Sequence, residues 1–188
     1  GGGTPEVTPV VVRPAPGGKA GWGGGQDLVG GLRGGVRGQG GQSVGIRIVE
    51  VTEAAEIYTR PLREAKSTDV YTLAGHSEPE EWEPRFTFHG FRYAEITGAD
   101  VDASAVRAAV LSSDVEWTGS VTTSSPFLNR LIENIRWGQR GNFVSVPTDC
   151  PQRDERLGWT ADVQVFAPTA PLNADLQALL TRWLDDLV

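Results

Sequence analysis

The chain has 188 residues, 22% of them charged and 39% hydrophobic, and a formal net charge of −7. An acidic balance argues against a nucleic-acid partner, which asks for a basic face, and no apolar run approaches the roughly eighteen residues that signal a membrane span. The single cysteine, Cys150, excludes an internal disulfide. There is no Met and the chain opens with Gly-Gly-Gly, so it reads as part of a longer protein, with compartment and oligomeric state left open.

Glycine is concentrated at the front: 17 of the 24 fall at or before Gly45. Residues 1–7 are expected to be a flexible start, because glycine carries high chain entropy and no side chain to bury. Thr8–Val12 is expected to form a short strand. The glycines between Gly30 and Gly38 stand where β-formers would be wanted, so this stretch is expected to be a poorly ordered sheet edge. Trp22 reads as a core or rim residue rather than a sugar platform.

From residue 44 the pattern is that of strands. Val44, Ile46 and Ile48 alternate with their neighbours in a strand expected to reach Val51. Thr52–Tyr58 reads as a connection, and Pro61 excludes a central strand at Thr59–Leu62. Asp69–Leu73 is a second strand, and His76–Pro84 an acidic loop. Arg85–Ile96 reads as a strand with a bulge at Gly90 and with Phe86 and Phe88 on one face. Val106–Leu111 and Val115–Trp117 supply two further β runs. Short strands parted by turn signals predict a β-sandwich over residues 8–117. His76 and His89 read as structural. Glu50, Glu53 and Glu56 share no face with His or Cys and read as a solvated acidic edge rather than a metal site.

After Trp117 the period becomes helical, over residues 118–188. Ser125 as N-cap and Pro126 as first residue open a predicted helix to about Arg140, with Leu128, Leu131, Ile132 and Ile135 as one stripe and Gly141 as its stop. A second helix is predicted from Thr160 to Ala167. A third is expected to be capped by Asn173 and to present Leu176, Leu179, Leu180, Trp183, Leu184 and Leu187 as an apolar face. That pattern is still running at Val188, so the chain is expected to stop in mid-domain.

The densest chemistry lies between Asp149 and Asp162. Asp149, Asp154, Glu155 and Asp162 stand there with Arg153, Arg156 and Trp159. Carboxylates among guanidiniums beside an indole suit sugar hydrolysis: an acid to protonate a glycosidic oxygen, ionised groups to hold hydroxyls, and a flat apolar face for the ring. A salt-bridged surface turn has the same composition. Pro147 and Pro151 keep Asp149 out of a regular helix and place the stretch on a loop. Cys150 lacks the His–Asn set of a thiol nucleophile and reads as a small buried apolar group.

The run Pro147-Thr148-Asp149-Cys150-Pro151-Gln152-Arg153-Asp154-Glu155-Arg156-Leu157-Gly158-Trp159-Thr160 resembles the signature of the bacterial α-L-rhamnosidases, glycoside hydrolase family 78. A second stretch, Glu83–Tyr93, also resembles that family. So does Gln26-Asp27-Leu28-Val29-Gly30, with Asp27 where the family usually shows Asn. Ala161 stands where Gly is common. The resemblance implies an antiparallel β-sandwich joined to the opening helices of an (α/α)6 six-hairpin barrel. It implies inverting hydrolysis of terminal α-L-rhamnose, with rhamnose-containing glycosides as partners and no nucleic acid or membrane. On matching positions Glu155 is the general acid and must hold its proton near neutrality. Asp149, Arg153 and Asp162 hold sugar hydroxyls, and Trp159 is an aromatic wall; Asp154 and Arg156 orient the loop. No metal and no cofactor are implied, and the chain has no Asp-x-Asp-x-Asp-Gly calcium loop. The family's general base lies beyond Val188, so this polypeptide alone is expected to be catalytically silent. Two alternatives stay open: a carbohydrate-binding β-sandwich without catalysis, and another (α/α)6 sugar hydrolase or lyase.

Overall fold

The computed structural model describes residues 6–7, 11–15, 19–98, 101–102 and 104–188. It divides into two compact units, one of Gly1–Leu111 with Gln152–Asp154, the other of Ser112–Pro151 with Glu155–Val188.

The first unit is antiparallel β throughout, an eight-stranded sheet and a separate two-stranded hairpin. Its strands are β1 (Glu6–Val7), β2 (Val11–Ala15), β3 (Lys19–Val36), β4 (Ser43–Val49), β5 (Val51–Glu53), β6 (Glu56–Tyr58), β7 (Thr68–Thr72), β8 (Glu80–Trp82), β9 (His89–Thr97) and β10 (Arg107–Val110). The main path runs β1-β10-β3-β9-β4-β7, and β2 and β8 also pair with β3. Of the predicted strand Thr8–Val12, residues 8–10 lie outside the described residues, while Val11 and Val12 open β2.

The glycine-rich stretch expected to be a loose edge is instead the middle of the sheet. β3 runs for 18 residues and carries β2, β8, β9 and β10 along its length. The physical reason is close approach. A Cβ on Gly30 would lie 1.8 Å from the Ala109 carbonyl oxygen, and one on Gly34 would lie 3.2 Å from Val106. At Gly30 only glycine lets β10 cross. Weak strand propensity is a local property of glycine, whereas the approach of a partner from far along the chain is not.

The core forms where alternation predicts it. Val44, Ile46 and Ile48 are fully buried on β4, with Leu32, Phe91 and Ile96 from the neighbouring strands. Trp22 is 2% exposed, and its Nε1 donates to the Val106 carbonyl at 3.2 Å. Its ring lies 6.0 Å from that of Phe91. His89 is structural as expected: Nε2 stands 3.0 Å from Asp69 Oδ1, and Nδ1 is 3.5 Å from the Ser67 hydroxyl.

Four local expectations are corrected. Thr52–Tyr58 holds a small hairpin, β5 with β6, turned by Ala54 and Ala55 at positive φ; no Asn-Gly marks this turn, so the sequence hid it. Phe86 has φ 61 and is fully exposed, so it shares no strand face with Phe88. Gly90 is not a bulge, because β9 keeps register from His89 to Phe91 while the irregularity lies on the partner strand between Gly23 and Leu28. Inside the acidic loop Glu80 begins β8.

Glu80 is buried in that strand. Its carboxylate accepts from the Tyr71 hydroxyl at 2.9 Å and from the backbone N–H groups of Ala74, Gly75 and His76 at 2.9, 2.7 and 3.2 Å. These donors, the Ala74 N–H foremost, hold its pKa down from 4.5 to about 2 against the opposing effect of burial. A depressed acid pKa adds stability that is complete above the unfolded value of 4.5 and is lost as pH falls towards about 2. Glu80→Gln is therefore expected to flatten the acid limb of a plot of Tm against pH. An unchanged limb would show that another group governs it.

The second unit is helical. α1 (Pro126–Asn142) starts as predicted: Ser125 is the N-cap and its side chain accepts from Leu128 N. Gly141 does not stop it; the helix continues to Asn142. Phe143, Ala170, Ala174 and Leu176 form the buried cluster, with Phe166, Val115 and Trp117 packed against it. Val115–Trp117 is not a strand. It is an extended segment whose Glu116 carbonyl accepts from Asp175 N, and Gly119 N donates to the Asn173 carbonyl. The face opposite is a loop, so no ladder forms. Leu128, Leu131 and Ile135 of the predicted stripe are exposed.

After α1 the chain makes a two-strand clasp, β11 (Phe143–Val144) with β12 (Val146–Pro147), and then the loop that leads to α2 (Thr160–Phe166). α3 (Gln177–Asp185) starts later than expected. Asn173 closes a 3-10 turn, Ala170–Leu172, and its side chain donates to Gln139 Oε1 at 2.7 Å, so it is not the N-cap. Of the expected α3 face, Leu176 and Trp183 are buried while Leu184 and Leu187 are exposed. No helix of the described residues is long and apolar enough to cross a membrane.

Candidate active site

The loop after β12 is held by its own backbone. Asp149 N donates to the Leu157 carbonyl at 3.0 Å, and Cys150 N to the Glu155 carbonyl at 3.3 Å. Thr148 fixes the entry, donating from its hydroxyl to the Asn142 carbonyl at 2.9 Å. Gly158 sits where a Cβ would come 3.1 Å from the Trp183 indole nitrogen, so α3 backs the loop closely at this point.

This arrangement brings Asp149 and Glu155 together in the helical unit. Asp149, Cys150 and Glu155 each present a ligand-type atom, all within 4.8 Å of one another. All three are partly buried. Cys150 Sγ donates to Asp149 Oδ2 at 3.2 Å, so the thiol expected to be a plain apolar filler is a weak donor beside the carboxylate. The trio offers donor types that a cation could use, and equally a pair of carboxyls suited to proton chemistry.

Asp149 and Asp162 also line one cavity of about 350 Å³, whose apolar side is Ile135, Phe143, Val163 and Phe166. That size is in the range of small-ligand pockets. Asp162 stands in the first turn of α2, where the helix dipole favours a negative charge. Trp159 is the N-cap of α2 and is 46% exposed; neither it nor Glu155 is among the residues lining this cavity. Burial pulls the Arg156 guanidinium below its ordinary pKa.

Arg153 belongs with Gln152 and Asp154 to the sheet unit. There Gln152 lies against Gly90, where a Cβ would come 2.8–3.1 Å from its N, Cα and Cβ atoms. This close approach, not a bulge, is the reason for a glycine at position 90. The arginine interacts with one acidic residue of the sheet unit, Glu50. Glu50, at the bend after β4, has its pKa pushed up from 4.5 to about 7. Burial is the largest cause, then repulsion by Asp27 and the hydrogen bond between the two carboxyls, with Arg153 opposing. Asp27 lies in the irregular part of β3 and as a residue is exposed. Burial of its carboxyl nonetheless raises its pKa, opposed first by Arg92. Glu53 and Glu56 are exposed as expected, but Glu50 is not a solvated edge. No local spacing could have found it, because its partners come from β3 and from residue 153.

Residues 22–113 match the family model of the bacterial alpha-L-rhamnosidase concanavalin-like domain, and residues 116–188 that of the bacterial alpha-L-rhamnosidase 6 hairpin glycosidase domain. The chain belongs to the bacterial α-L-rhamnosidases. An alpha-L-rhamnosidase of Streptomyces avermitilis is 51% identical over 166 residues, covering 87% of this chain and 16% of that protein. One of Formosa agariphila is 45% identical over 152 residues, covering 78% of this chain and 16% of that protein. Among solved structures, the Streptomyces avermitilis α-L-rhamnosidase complexed with L-rhamnose superposes with a TM-score of 0.92 at 47% identity, covering 97% of this chain and 18% of that one. Native α-L-rhamnosidase from Aspergillus terreus gives 0.91 at 47% identity, covering 97% and 21%. The chain therefore spans about 16% of the length of the curated relatives it matches. The fold class read from sequence, a sandwich followed by the start of the six-hairpin domain, agrees with both family models.

Proposed function

We propose that this chain carries the acid half of an inverting α-L-rhamnosidase site. Glu155 protonates the glycosidic oxygen as its bond to the anomeric carbon of α-L-rhamnose breaks. A water attacks from the opposite face and gives its proton to a base that the family resemblance assigns downstream of Val188. Asp149, Arg153 and Asp162 hold the sugar hydroxyls, and Trp159 meets the ring face. The observation that carries this reading is the meeting of Asp149 and Glu155 within 4.8 Å on a braced loop. In an inverting enzyme the acid and the base stand about 6.5–9.5 Å apart. That leaves Asp149 as a partner of the acid and the sugar rather than the base.

The test is the anomer first released by the full-length protein from an aryl α-L-rhamnoside, followed by proton NMR. β-L-Rhamnose is the expected first product. α-L-Rhamnose as first product would exclude inversion, and no release at all would exclude the activity.

A further inference from the structure

We propose that the sheet unit carries a second, non-catalytic site for one neutral sugar residue, in the cavity lined by β7, the end of β8 and the segment after it. The cavity has a volume of about 330 Å³, at the small end of ligand pockets, which suits a single ring rather than a chain. All of its lining residues belong to the sheet unit. It draws on the stretch Glu83–Tyr93, which resembles the family and which the hydrolytic reading leaves unused.

Two buried polar atoms of lining residues point to the ligand. Asp69 engages His89 Nε2 through Oδ1 at 3.0 Å, while its Oδ2 is buried without a hydrogen-bond partner among the described residues. Trp82 is 5% exposed, and its Nε1 is likewise buried and unpartnered among the described residues. A buried donor or acceptor left unserved is costly, so each asks for an occupant. One is an acceptor and the other a donor. A ligand that serves both must give and take hydrogen bonds, as hydroxyl groups do. An anion would be repelled by Asp69, and a cation would leave the indole N–H unserved.

Water serves such atoms as well; aromatic surface is what selects a sugar. Tyr71 and Trp82 both belong to the lining, and Tyr71 is pinned by donating its hydroxyl to Glu80 at 2.9 Å. Phe86 stands between two further lining residues, Arg85 and Thr87, with its side chain fully exposed and its backbone at φ 61. A bulky residue enters that left-handed conformation only under strain. The ring buries nothing in return. A bare ring for the C–H face and buried polar atoms for the hydroxyls are what a sugar residue needs.

The test uses the full-length protein with fluorinated tryptophan. The Trp82 fluorine resonance is identified by its loss in Trp82→Phe, and L-rhamnose, D-glucose and D-galactose are titrated separately. A saturable shift of that resonance with at least one of the three is expected. Phe86→Ala, at a fully exposed position, is expected to weaken that binding about two- to tenfold, the worth of one aromatic face. Asp69→Asn, which puts a donor where the acceptor Oδ2 stands, is expected to weaken it on the order of tenfold. Should the loss of the Asp69–His89 pair unfold the protein, Phe86→Ala decides alone. Binding at the candidate active site is kept apart by Asp149→Asn, in which the Trp82 shift is expected to persist. A Trp82 resonance that none of the sugars moves means that the cavity holds water only, and overturns the proposal. So does a shift that disappears in Asp149→Asn, or one that either folded variant, Phe86→Ala or Asp69→Asn, leaves unchanged. Success or failure of rhamnoside hydrolysis alters none of these outcomes.

Discussion

Glu155→Gln in the full-length protein is expected to lower kcat on rhamnosides with a poor leaving group by roughly 10²–10⁴-fold, the usual contribution of a positioned general acid. Gln keeps the shape and one hydrogen-bond donor but has no proton to transfer. KM is expected to stay near the parent value, because Asp149 and Asp162 remain at the cavity. Aryl rhamnosides with a very good leaving group need less protonation, so the loss should shrink on them. That difference separates a missing acid from a damaged pocket, which would depress both substrates alike. Undiminished turnover on the poor leaving group would mean that the acid is another residue.

Trp22→Ala is expected to cost about 3–5 kcal/mol of stability, the range for deleting a large buried aromatic side chain. The ring is 2% exposed and packs beside Phe91, and its Nε1 satisfies the Val106 carbonyl. Ala leaves a void and removes one of two donors to that carbonyl, which keeps Arg107 Nη1 at 3.1 Å. Trp22→Phe keeps most of the ring and removes only the indole donor, with an expected cost of about 0.5–1.5 kcal/mol. Denaturant unfolding of the two variants would rank them. Equal losses would show that the hydrogen bond, not the packing, carries the residue.

Much of this could be read from the residues because the signals are local. Alternation at Val44, Ile46 and Ile48 named the β4 core face, and Ser125-Pro126 named the start of α1. The contiguous run Pro147–Thr160 named the family. What stayed hidden depends on partners far along the chain. Gly30, Gly34 and Gly90 are small because Ala109, Val106 and Gln152 come close, and nothing around the glycines says so. Glu50 looked like its neighbours Glu53 and Glu56, yet it is set apart by Asp27 and Arg153. Asn173 has the right chemistry for a cap, but Gln139 claims its side chain.

The length of β3 has a consequence for the order in which the protein assembles. Lys19–Val36 is made before its neighbours: β8, β9 and β10 are not complete until Trp82, Thr97 and Val110 have followed. Pairings of such separation must wait for large loops to close, and this slows folding. Until then a nascent β3 has unfilled hydrogen-bonding edges, of the kind that recruit other chains. Its many glycines, and the few large apolar side chains it has beyond Trp22, Leu28 and Leu32, make it a poor nucleus for aggregation during that wait. The same residues that admit close neighbours in the finished sheet thus protect the unfinished one.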